Sequence, residues 1–354
     1  ELRHIRPLQT YHPRNFMVLD DATRRNLELT ATLQEGKKRG SLLGVLDRTV
    51  TAMGGRTLRH WIHYPLIDQT QILQRQNAVA ELVEESLVRI EILESLDGVY
   101  DLERLNSKIA MASANAKDLA AMRISLGRLP QIDDLLSHFQ GTYLAELREQ
   151  IDLMPDLLNL LERAIVEDPP FVLRDGGIIR DGYNEELDEL RTISREGKGW
   201  IARLEQEERD RTEIPSLKVK YNKVFGYFIE ITNRNLDKIP EDYQRKQTLS
   251  NAERFITPKL KEYEAKVLGA EEKLVELEYN LFQDVRLKTA AEGRRIQQSA
   301  DALATLDALM AMADLAHDRN YVRPTIDDSG VLIIEAGRHP VVEGMPLKEA
   351  FVPN

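Results

Sequence analysis

The chain contains no cysteine, and aromatic residues make up only 6% of its 354 residues. The absence of cysteine excludes disulfide bonds, thiolate metal sites and thiol nucleophiles. No apolar run approaches the roughly 18 residues that a membrane-spanning helix needs. The chain does not begin with a charged segment followed by an apolar one, so no secretory signal is predicted. The expected location is therefore the cytoplasm.

The chain contains 42% hydrophobic and 30% charged residues, a composition typical of helix-rich proteins, and its 354 residues are enough for two or three domains. Its formal net charge is −11. A negative chain is a poor partner for nucleic acid unless its basic residues are concentrated in one element, because affinity for phosphate depends on clustered Lys and Arg. The distribution of charge along the chain therefore matters more than the total.

The first part of the chain, up to about Pro130, has the pattern of amphipathic helices separated by short turns. Gly54-Gly55 is expected to interrupt the chain before a helix over residues 56–62. A further helical stretch is predicted from Gln131 to about Val166. Helices with short connections predict an α-helical bundle. Gly176-Gly177 lies in a stretch with strand-like ends and is expected to mark a module boundary.

Two long helices are predicted in the second half. The first covers Glu185 to about Arg211. The second is indicated by residues at alternating steps of three and four, which is the pattern of a coiled-coil seam: Leu260, Tyr263, Val267, Ala270, Leu274, Leu277 and Leu281. Two such helices would pair antiparallel. At about 1.5 Å per residue the first spans roughly 40 Å, so the segment between the helices is carried well away from the bundle.

That intervening segment has β-strand character. Three apolar residues alternate with two lysines, in the order Leu217, Lys218, Val219, Lys220 and Tyr221. A second run rich in strand-forming residues covers Phe225 to Thr232, and the two runs predict a β-hairpin with Asn222 and Lys223 at its turn. Period-two alternation places both lysines on the face opposite the apolar one.

The same segment is the basic part of an acidic chain. Between Glu213 and Lys259 there are nine basic and six acidic residues, a net charge of +3 against −14 for the remainder. A basic tip on acidic arms suits a clamp that contacts phosphates, because only the tip is attracted to DNA. The alternative interpretation is an ordinary solvated surface, on which strand lysines prevent edge pairing.

Six stretches resemble the MutS family of DNA mismatch repair proteins, and they occur in that family's order. They are LDRTVTAMGGRTLRHWIHYPL (46–66), SANAKDLAAMRISLGRLPQI (113–132), GGIIRDGYNEELDELR (176–191), LKVKYNKVFGYFIEIT (217–232), RKQTLSNAERFITPKLKEYE (245–264) and EAGRHPVVE (335–343). Together they sample nearly the whole chain. The similarity is greatest to the bacterial, mismatch-recognising branch.

The resemblance implies a mainly α fold, in which a helical core with long antiparallel lever helices carries a small β-rich clamp at its tip. Residues 1–180 and 265–328 resemble the discontinuous core and lever domain, and residues 181–264 resemble the inserted clamp. Residues 329–354 resemble the start of a truncated ATPase domain, with its first strand near Val331. Mismatch-binding and connector domains are expected to precede Glu1.

The resemblance also implies contacts with the backbone of double-stranded DNA. The family's motif positions carry over to Asn222 and Lys223 in the hairpin turn and to Asn251, while Lys220, Lys246 and Arg254 are added because of their charge and position. Asn222 has an alternative role in turn geometry. The alternative role of Asn251 is that of a helix cap before Glu253.

No catalytic residue, metal site or cofactor site is predicted. The phosphate-loop pattern G-x-x-x-x-G-K-[ST] occurs nowhere in the chain, so ATP and Mg²⁺ are expected only in the intact family member. A second MutS subunit and MutL are its implied partners, with association to the bacterial nucleoid when it is bound to DNA. The rival hypothesis is a structural coiled-coil arm whose tip binds a protein and has no affinity for DNA.

Overall fold

The structure is a computed structural model that describes residues 16–222 and 226–345. It is mainly α-helical with one four-stranded antiparallel sheet, which confirms the predicted fold class at that level. The helices are α1 Asp21–Asn26, α2 Leu42–Leu46, α3 Ala52–His63, α4 Gln69–Glu84, α5 Ser86–Asp97, α6 Leu102–Ala110, α7 Ala116–Leu136, α8 Thr142–Gln150, α9 Pro155–Ala164, α10 Glu185–Thr212, α11 Pro258–Ala291, α12 Gly293–Arg319 and α13 Pro340–Glu343. The strands are β1 Lys218–Asn222, β2 Gly226–Thr232, β3 Gln244–Thr248 and β4 Ala252–Ile256.

The chain divides into two compact units. One comprises the described residues up to Glu162 together with those from Val285, and the other comprises Arg163–Asp284. These limits differ from the expected clamp limits of 181 and 264, because the second unit also includes the loop before α10 and most of α11. The assignment of core and clamp domains stays a prediction.

In the first unit, α12 is the central helix, and α3, α4, α6 and α8 pack against it. It is buried around much of its circumference, as expected for a helix enclosed by others. Its one fully buried acidic residue, Asp307, accepts hydrogen bonds from Val50 N at 3.1 Å and from Thr51 N and Oγ1 at 2.8 and 2.6 Å. Burial raises the pKa of Asp307, and the hydrogen bonds from Thr51 oppose that increase.

The predicted interruption at Gly54-Gly55 is wrong, because both glycines lie inside α3. A Cβ on Gly54 would lie 2.1 Å from Asp307 Oδ2, so glycine is needed there for close approach of α12 rather than for a turn. The predicted break at Pro130 is also wrong. Pro130 lies inside α7, whose two halves are held by buried residues on both sides, including Leu126 and Ile132. Tertiary packing therefore outweighs the local helix-breaking tendency of proline.

In the second unit, α10 matches its predicted limits to within one residue. Contacts along their length connect α10 with α11, among them Lys259 Nζ–Glu207 Oε2 at 3.1 Å, Trp200–Tyr263 ring centroids at 3.7 Å, Ser194 Oγ–Glu271 Oε1 at 3.4 Å and Arg191 Nη2–Glu278 Oε1 at 2.9 Å. The residue numbers of these partners increase along α11 as those of their partners in α10 decrease. The two helices therefore run antiparallel. Two of the predicted seam residues, Leu260 and Ala270, are buried, while the side chain of Val267 lies outside those described.

The loop before α10 wraps around one carboxylate of α11. Glu278 is buried and accepts hydrogen bonds from Gly177 N, Ile178 N and Ile179 N at 2.9, 2.7 and 2.9 Å. Gly176 and Gly177 both have φ of +71°, a conformation that glycine adopts without the strain a side chain would cause. The conformation of the two glycines thus lets the loop present the consecutive N–H groups of Gly177, Ile178 and Ile179 to one anion.

The sheet has the strand order β1-β2-β4-β3, and every neighbouring pair is antiparallel. The pairing of β1 with β2, in which Val219 lies opposite Ile229, confirms the predicted hairpin. The second hairpin, β3 with β4, was not predicted, because QRKQT in β3 lacks alternating apolar residues.

The segment near the end of the described chain differs from its expectation. Val331–Ile334 forms neither helix nor strand, and all four side chains are exposed. The strand expected near Val331 is therefore not formed, since no neighbouring strand pairs with it within residues 16–222 and 226–345. None of the described helices combines the length and apolar character required to cross a membrane.

Candidate nucleic-acid interface

The sheet of the second unit has one apolar face and one charged face. Ile229, Ile231 and Phe255 form its apolar face, which packs with Leu204 of α10 and Leu260 of α11. Strand alternation sends the intervening residues to the opposite face, which we call the outer face. It carries three cations and one anion, namely Lys218, Lys220, Arg254 and Glu230.

Glu230 connects two of these cations. Its Oε1 accepts a hydrogen bond from Lys220 Nζ at 2.7 Å, and its Oε2 lies 3.3 Å from Arg254 Nε. The carboxylate is about four-fifths buried, with 19% of its side chain exposed. The hydrogen bond from Lys220, reinforced by Arg254, holds the pKa of Glu230 below its ordinary value. The three side chains thus form an ion-pair row across three strands.

Arg254 is the most strongly held of the outer-face cations. Its guanidinium lies 4.3 Å from the ring centroid of Phe228, and its Nη1 donates to Gln247 Oε1 at 2.8 Å. Stacking on an aromatic ring suits arginine, whose planar cation is weakly hydrated. The guanidinium thereby covers Phe228, whose side chain is buried on this face.

Lys218 and Lys246 are the cations that remain without ion-pair partners among the described residues of this surface. Lys218 lies opposite Glu230 in the β1–β2 register and is exposed. Lys246 is the extra residue of a bulge in β3, between the paired residues Arg245 and Gln247, and it is also exposed. A bulge changes the direction of a strand side chain, which here leaves the lysine in solvent.

The edge of the sheet at β1 is closed by α10. Glu205 Oε2 accepts from Val219 N at 2.7 Å, and Arg209 Nε donates to Leu217 O at 2.8 Å. Arg209 and Glu205 also pair with each other at 2.6 Å. These contacts satisfy backbone groups that would otherwise be open to another strand, so the edge is fixed against the helix that carries the sheet.

Asn251 does not have the alternative role expected for it. It lies in the turn between β3 and β4 and precedes a strand, so the helix-cap interpretation is wrong. Its backbone oxygen accepts from Asn233 N at 3.2 Å, and Leu249 N donates across the turn to Ala252 O at 2.8 Å. The side chain is exposed, and no side-chain hydrogen bond holds it within the described part of the chain.

The predicted site residues do not form a single cluster. Asn222 is the last residue of β1, paired with Gly226, whereas Asn251 lies beyond the other end of β2. The six steps from Gly226 to Thr232 span about 20 Å at roughly 3.3 Å per residue. Lys223 lies outside the described residues. Lys220 and Arg254 lie between the two ends, on the outer face.

Sequence reasoning missed two residues of this surface as candidate contacts. Lys218 shares the face and the exposure of Lys220, and the alternation of β1 already placed both on one side. Gln247 orients Arg254 from β3. No sequence signal identifies Gln247, because the bulge at Lys246 changes the register on which a face assignment depends.

The charge of the unit is segregated between helix and sheet. Helix α10 contains nine acidic and six basic residues, a net charge of −3. The outer face of the sheet carries a net positive charge, and Lys246 adds to it. A polyanion would therefore be attracted to the sheet and repelled by the helix.

Residues 22–313 match the family model described as MutS domain III. The chain is 52% identical over 353 residues to the DNA mismatch repair protein MutS of Symbiobacterium thermophilum, covering 100% of this chain and 40% of the relative. It is 50% identical over 354 residues to the DNA mismatch repair protein MutS of Desulforamulus reducens, covering 100% of this chain and 41% of the relative. It is 53% identical over 353 residues to the DNA mismatch repair protein MutS of Halothermothrix orenii, covering 100% of this chain and 39% of the relative. The chain spans about 40% of the length of the curated relatives that it matches.

Proposed function

The chain belongs to the MutS family, and we propose that it serves DNA mismatch repair by holding the backbone of duplex DNA through the sheet of its second unit. In this proposal residues 181–264 are the clamp of a longer protein. The clamp contacts phosphates without reading bases, so it contributes affinity and position but no sequence preference.

The observation that carries the proposal is the outer face of the sheet. Lys218, Lys220 and Arg254 share that face, and Lys246 projects from the adjoining bulge. The closed edge at β1 and the packing on α10 give these cations a rigid support. Asn222 and Asn251 at the two ends of the sheet, with Lys223 as implied by the family, would add contacts along one duplex.

The long helices supply the second part of the proposal, a lever. Helix α10 has 28 residues and α11 has 34, which correspond to about 42 and 51 Å at 1.5 Å per residue. Their antiparallel contacts and the predicted coiled-coil seam suit two helices that move as one rigid unit. In the longer relatives this lever would couple DNA contact at the sheet to residues beyond the matched segment.

Nucleotide chemistry does not fit the residues of this chain. The Gly-Lys pairs nearest to a phosphate loop are Gly36-Lys37 and Gly197-Lys198, and neither is followed by Ser or Thr. Gly197 and Lys198 lie in the interior of α10, where backbone N–H groups are used within the helix. We assign ATP hydrolysis, with its Mg²⁺, to other parts of the longer family members, together with contacts to a second subunit and to MutL.

A second candidate function is a protein-binding tip. One observation favours it: Tyr221, at the edge strand, is 50% exposed and lies beside Lys220, and half-exposed tyrosines are frequent in protein interfaces. Such a tip would bind its partner with little dependence on DNA. Salt-dependent binding to duplex DNA separates the two functions.

The test is binding of the full chain to a fluorescent duplex of random sequence as the salt concentration is raised from about 50 to 200 mM. The outer face and Lys246 together carry four cations and one carboxylate, so if their net charge neutralises three phosphates, log K should fall against log[salt] with a slope of about −2.7. Replacing Lys218 and Lys246 together by Gln should reduce that slope by about 2. Lys223→Gln and Asn251→Ala should also weaken binding.

Lys37→Gln is the matched control, because Lys37 lies in the other unit and pairs with Glu35 at 2.8 Å. It removes one positive charge without changing the sheet, so its binding curve should match that of the unsubstituted chain. A salt-independent affinity, or equal losses for Lys37→Gln and the sheet variants, would contradict the clamp assignment and favour the protein-binding tip.

A further inference from the structure

The outer face carries the cations Lys218, Lys220 and Arg254, and Glu230 is the acidic residue that lies beside them. It pairs with Lys220 at 2.7 Å and with Arg254 at 3.3 Å, so a single carboxylate engages two of the three cations. Its position is central, since β2 has β1 on one side and β4 on the other. A carboxylate at the centre of a phosphate-binding face opposes the attraction that the face exerts.

The two cations are held to different degrees. Lys220 is 46% exposed, and Glu230 supplies its hydrogen bond on the sheet. Arg254 is 20% exposed and is also held by Gln247 and by the Phe228 ring. Release of Glu230 would therefore free Lys220 to reach outward, whereas Arg254 would stay on the sheet with its charge uncompensated.

Glu230 is not needed to satisfy backbone groups or to fill the core. Its hydrogen bonds go to Lys220 and Arg254, and the apolar packing of the sheet lies on the opposite face. The pair with Lys220 has a partner that is 46% exposed, and a pair so open to solvent contributes little to stability. A row of cations paired through one carboxylate is thus better explained by its effect on ligand binding than by its effect on folding.

We propose that Glu230 sets an upper limit on the affinity of the sheet for duplex phosphates, because its carboxylate pairs with Lys220 and Arg254 and competes with phosphate oxygens for them. The inference rests on the proposed function. It assigns Glu230 the role of an affinity-determining residue that acts through two basic neighbours. Weak phosphate contact suits a surface that binds DNA without reading its sequence.

The experiment compares Glu230→Gln with the unsubstituted full chain in the duplex-binding assay. Gln keeps the size and hydrogen-bonding capacity of Glu but removes the charge. One additional phosphate contact is expected to tighten binding about eightfold at 0.1 M salt and to steepen the salt slope by about 0.9. Glu241→Gln is the matched control, because Glu241 is an exposed residue of the same unit outside the strands. It should leave the slope unchanged.

A double variant tests whether the effect passes through Lys220. In the Lys220→Gln background, Glu230→Gln should produce a smaller gain, because one of the two released cations is gone. Glu230→Thr, which suits a strand, serves as a second variant if the glutamine variant fails to fold. Unchanged or weaker binding in the folded Glu230 variants, with salt-dependent binding in the unsubstituted chain, overturns the inference alone. Salt-independent binding in the unsubstituted chain overturns the proposed function as well.

Discussion

Arg191 of α10 donates from Nη2 to Oε1 of Glu278 in α11 over 2.9 Å, and this ion pair is the most buried one between the two long helices. The same carboxylate accepts three backbone N–H groups from the loop at Gly177, Ile178 and Ile179. Three separate segments of the second unit therefore meet at one side chain. If the helices act as a lever, this is where they are fixed to each other and to the chain that precedes them.

Glu278→Gln is expected to destabilise the second unit by about 2–4 kcal/mol. Gln keeps one acceptor oxygen but places an N–H₂ group toward donors, so a buried polar contact is lost together with the charge that Arg191 faces. Urea unfolding gives the free-energy change. Amide hydrogen exchange at Gly177 to Ile179 should accelerate about tenfold or more, because the loop loses its anchor.

Glu276→Gln is the control for that experiment, since Glu276 is an exposed residue of the same helix. It should change the free energy of unfolding by less than about 0.5 kcal/mol. If Glu278→Gln behaves like Glu276→Gln, the loop is not held by the carboxylate and the assignment of this residue as an anchor is wrong.

The elements that sequence predicted well are those determined by local patterns. Helix α10 was predicted over Glu185 to Arg211 and ends at Thr212. The first hairpin was predicted from the alternation around Val219, and its lysines lie on the expected face. In both cases the side-chain period matches the element, so neighbouring residues along the chain contain the necessary information.

The failures involve contacts that are distant in sequence. Gly54 was interpreted as a break, because nothing near it in the chain reveals the approach of Asp307. Asn251 was given a helix-cap alternative, because β3 is too polar to predict a strand before it. The pairing of Lys220 with Glu230 can be recognised only when the register of β1 and β2 is known. The sequence therefore identified Lys220 and Arg254 as candidate contacts but not Glu230, which pairs with both.

Gly54→Ala is expected to destabilise the first unit by about 3 kcal/mol. The new methyl group would lie 2.1 Å from Asp307 Oδ2, so either α12 or the buried carboxylate must move. Gly127→Ala is the matched control, because Gly127 lies in a helix with nothing within 4 Å of an added Cβ. It should stabilise the chain by about 0.5–1 kcal/mol through helix propensity. Thermal or urea unfolding separates the two, and a stabilising Gly54→Ala would show that the close approach is wrong.

The pH dependence of stability should show a contribution from Asp152. Arg295 donates to both of its oxygens, at 2.6 and 3.0 Å, and holds the pKa of Asp152 below its ordinary value of 3.8. Between the folded pKa and that ordinary value the unfolded chain binds more protons than the folded one. The stabilisation is therefore fully present above it and is lost as pH falls through the folded pKa.

Asp152→Asn should accordingly cost about 0.5–1 kcal/mol at pH 7, a modest value because both side chains are about one-third exposed. At about pH 2.5 the difference from the unsubstituted chain should be much smaller. Urea unfolding at the two pH values gives the comparison. In the Arg295→Gln background the pH-dependent increment should shrink, and an undiminished increment would point to a different partner for Asp152.

Strand β2 approaches α11 closely at Gly226. Gly226 has φ of +72°, and a Cβ there would lie 1.6 Å from Glu264 Oε1, the oxygen that accepts from Tyr227 N at 2.7 Å. Gly226→Ala therefore meets two obstacles, an unfavourable backbone conformation and the displacement of a buried carboxylate. We expect the free energy of unfolding to fall by about 2–4 kcal/mol.

A double-mutant cycle with Glu264→Ala separates these obstacles. Once the carboxylate is removed, Gly226→Ala should cost only the backbone penalty of about 1–2 kcal/mol. Additive costs would mean that Glu264 leaves room for a side chain at Gly226, contrary to the structure. Strong coupling would instead show that glycine is required here for the approach of β2 to α11, which fixes the start of the strand that carries Glu230.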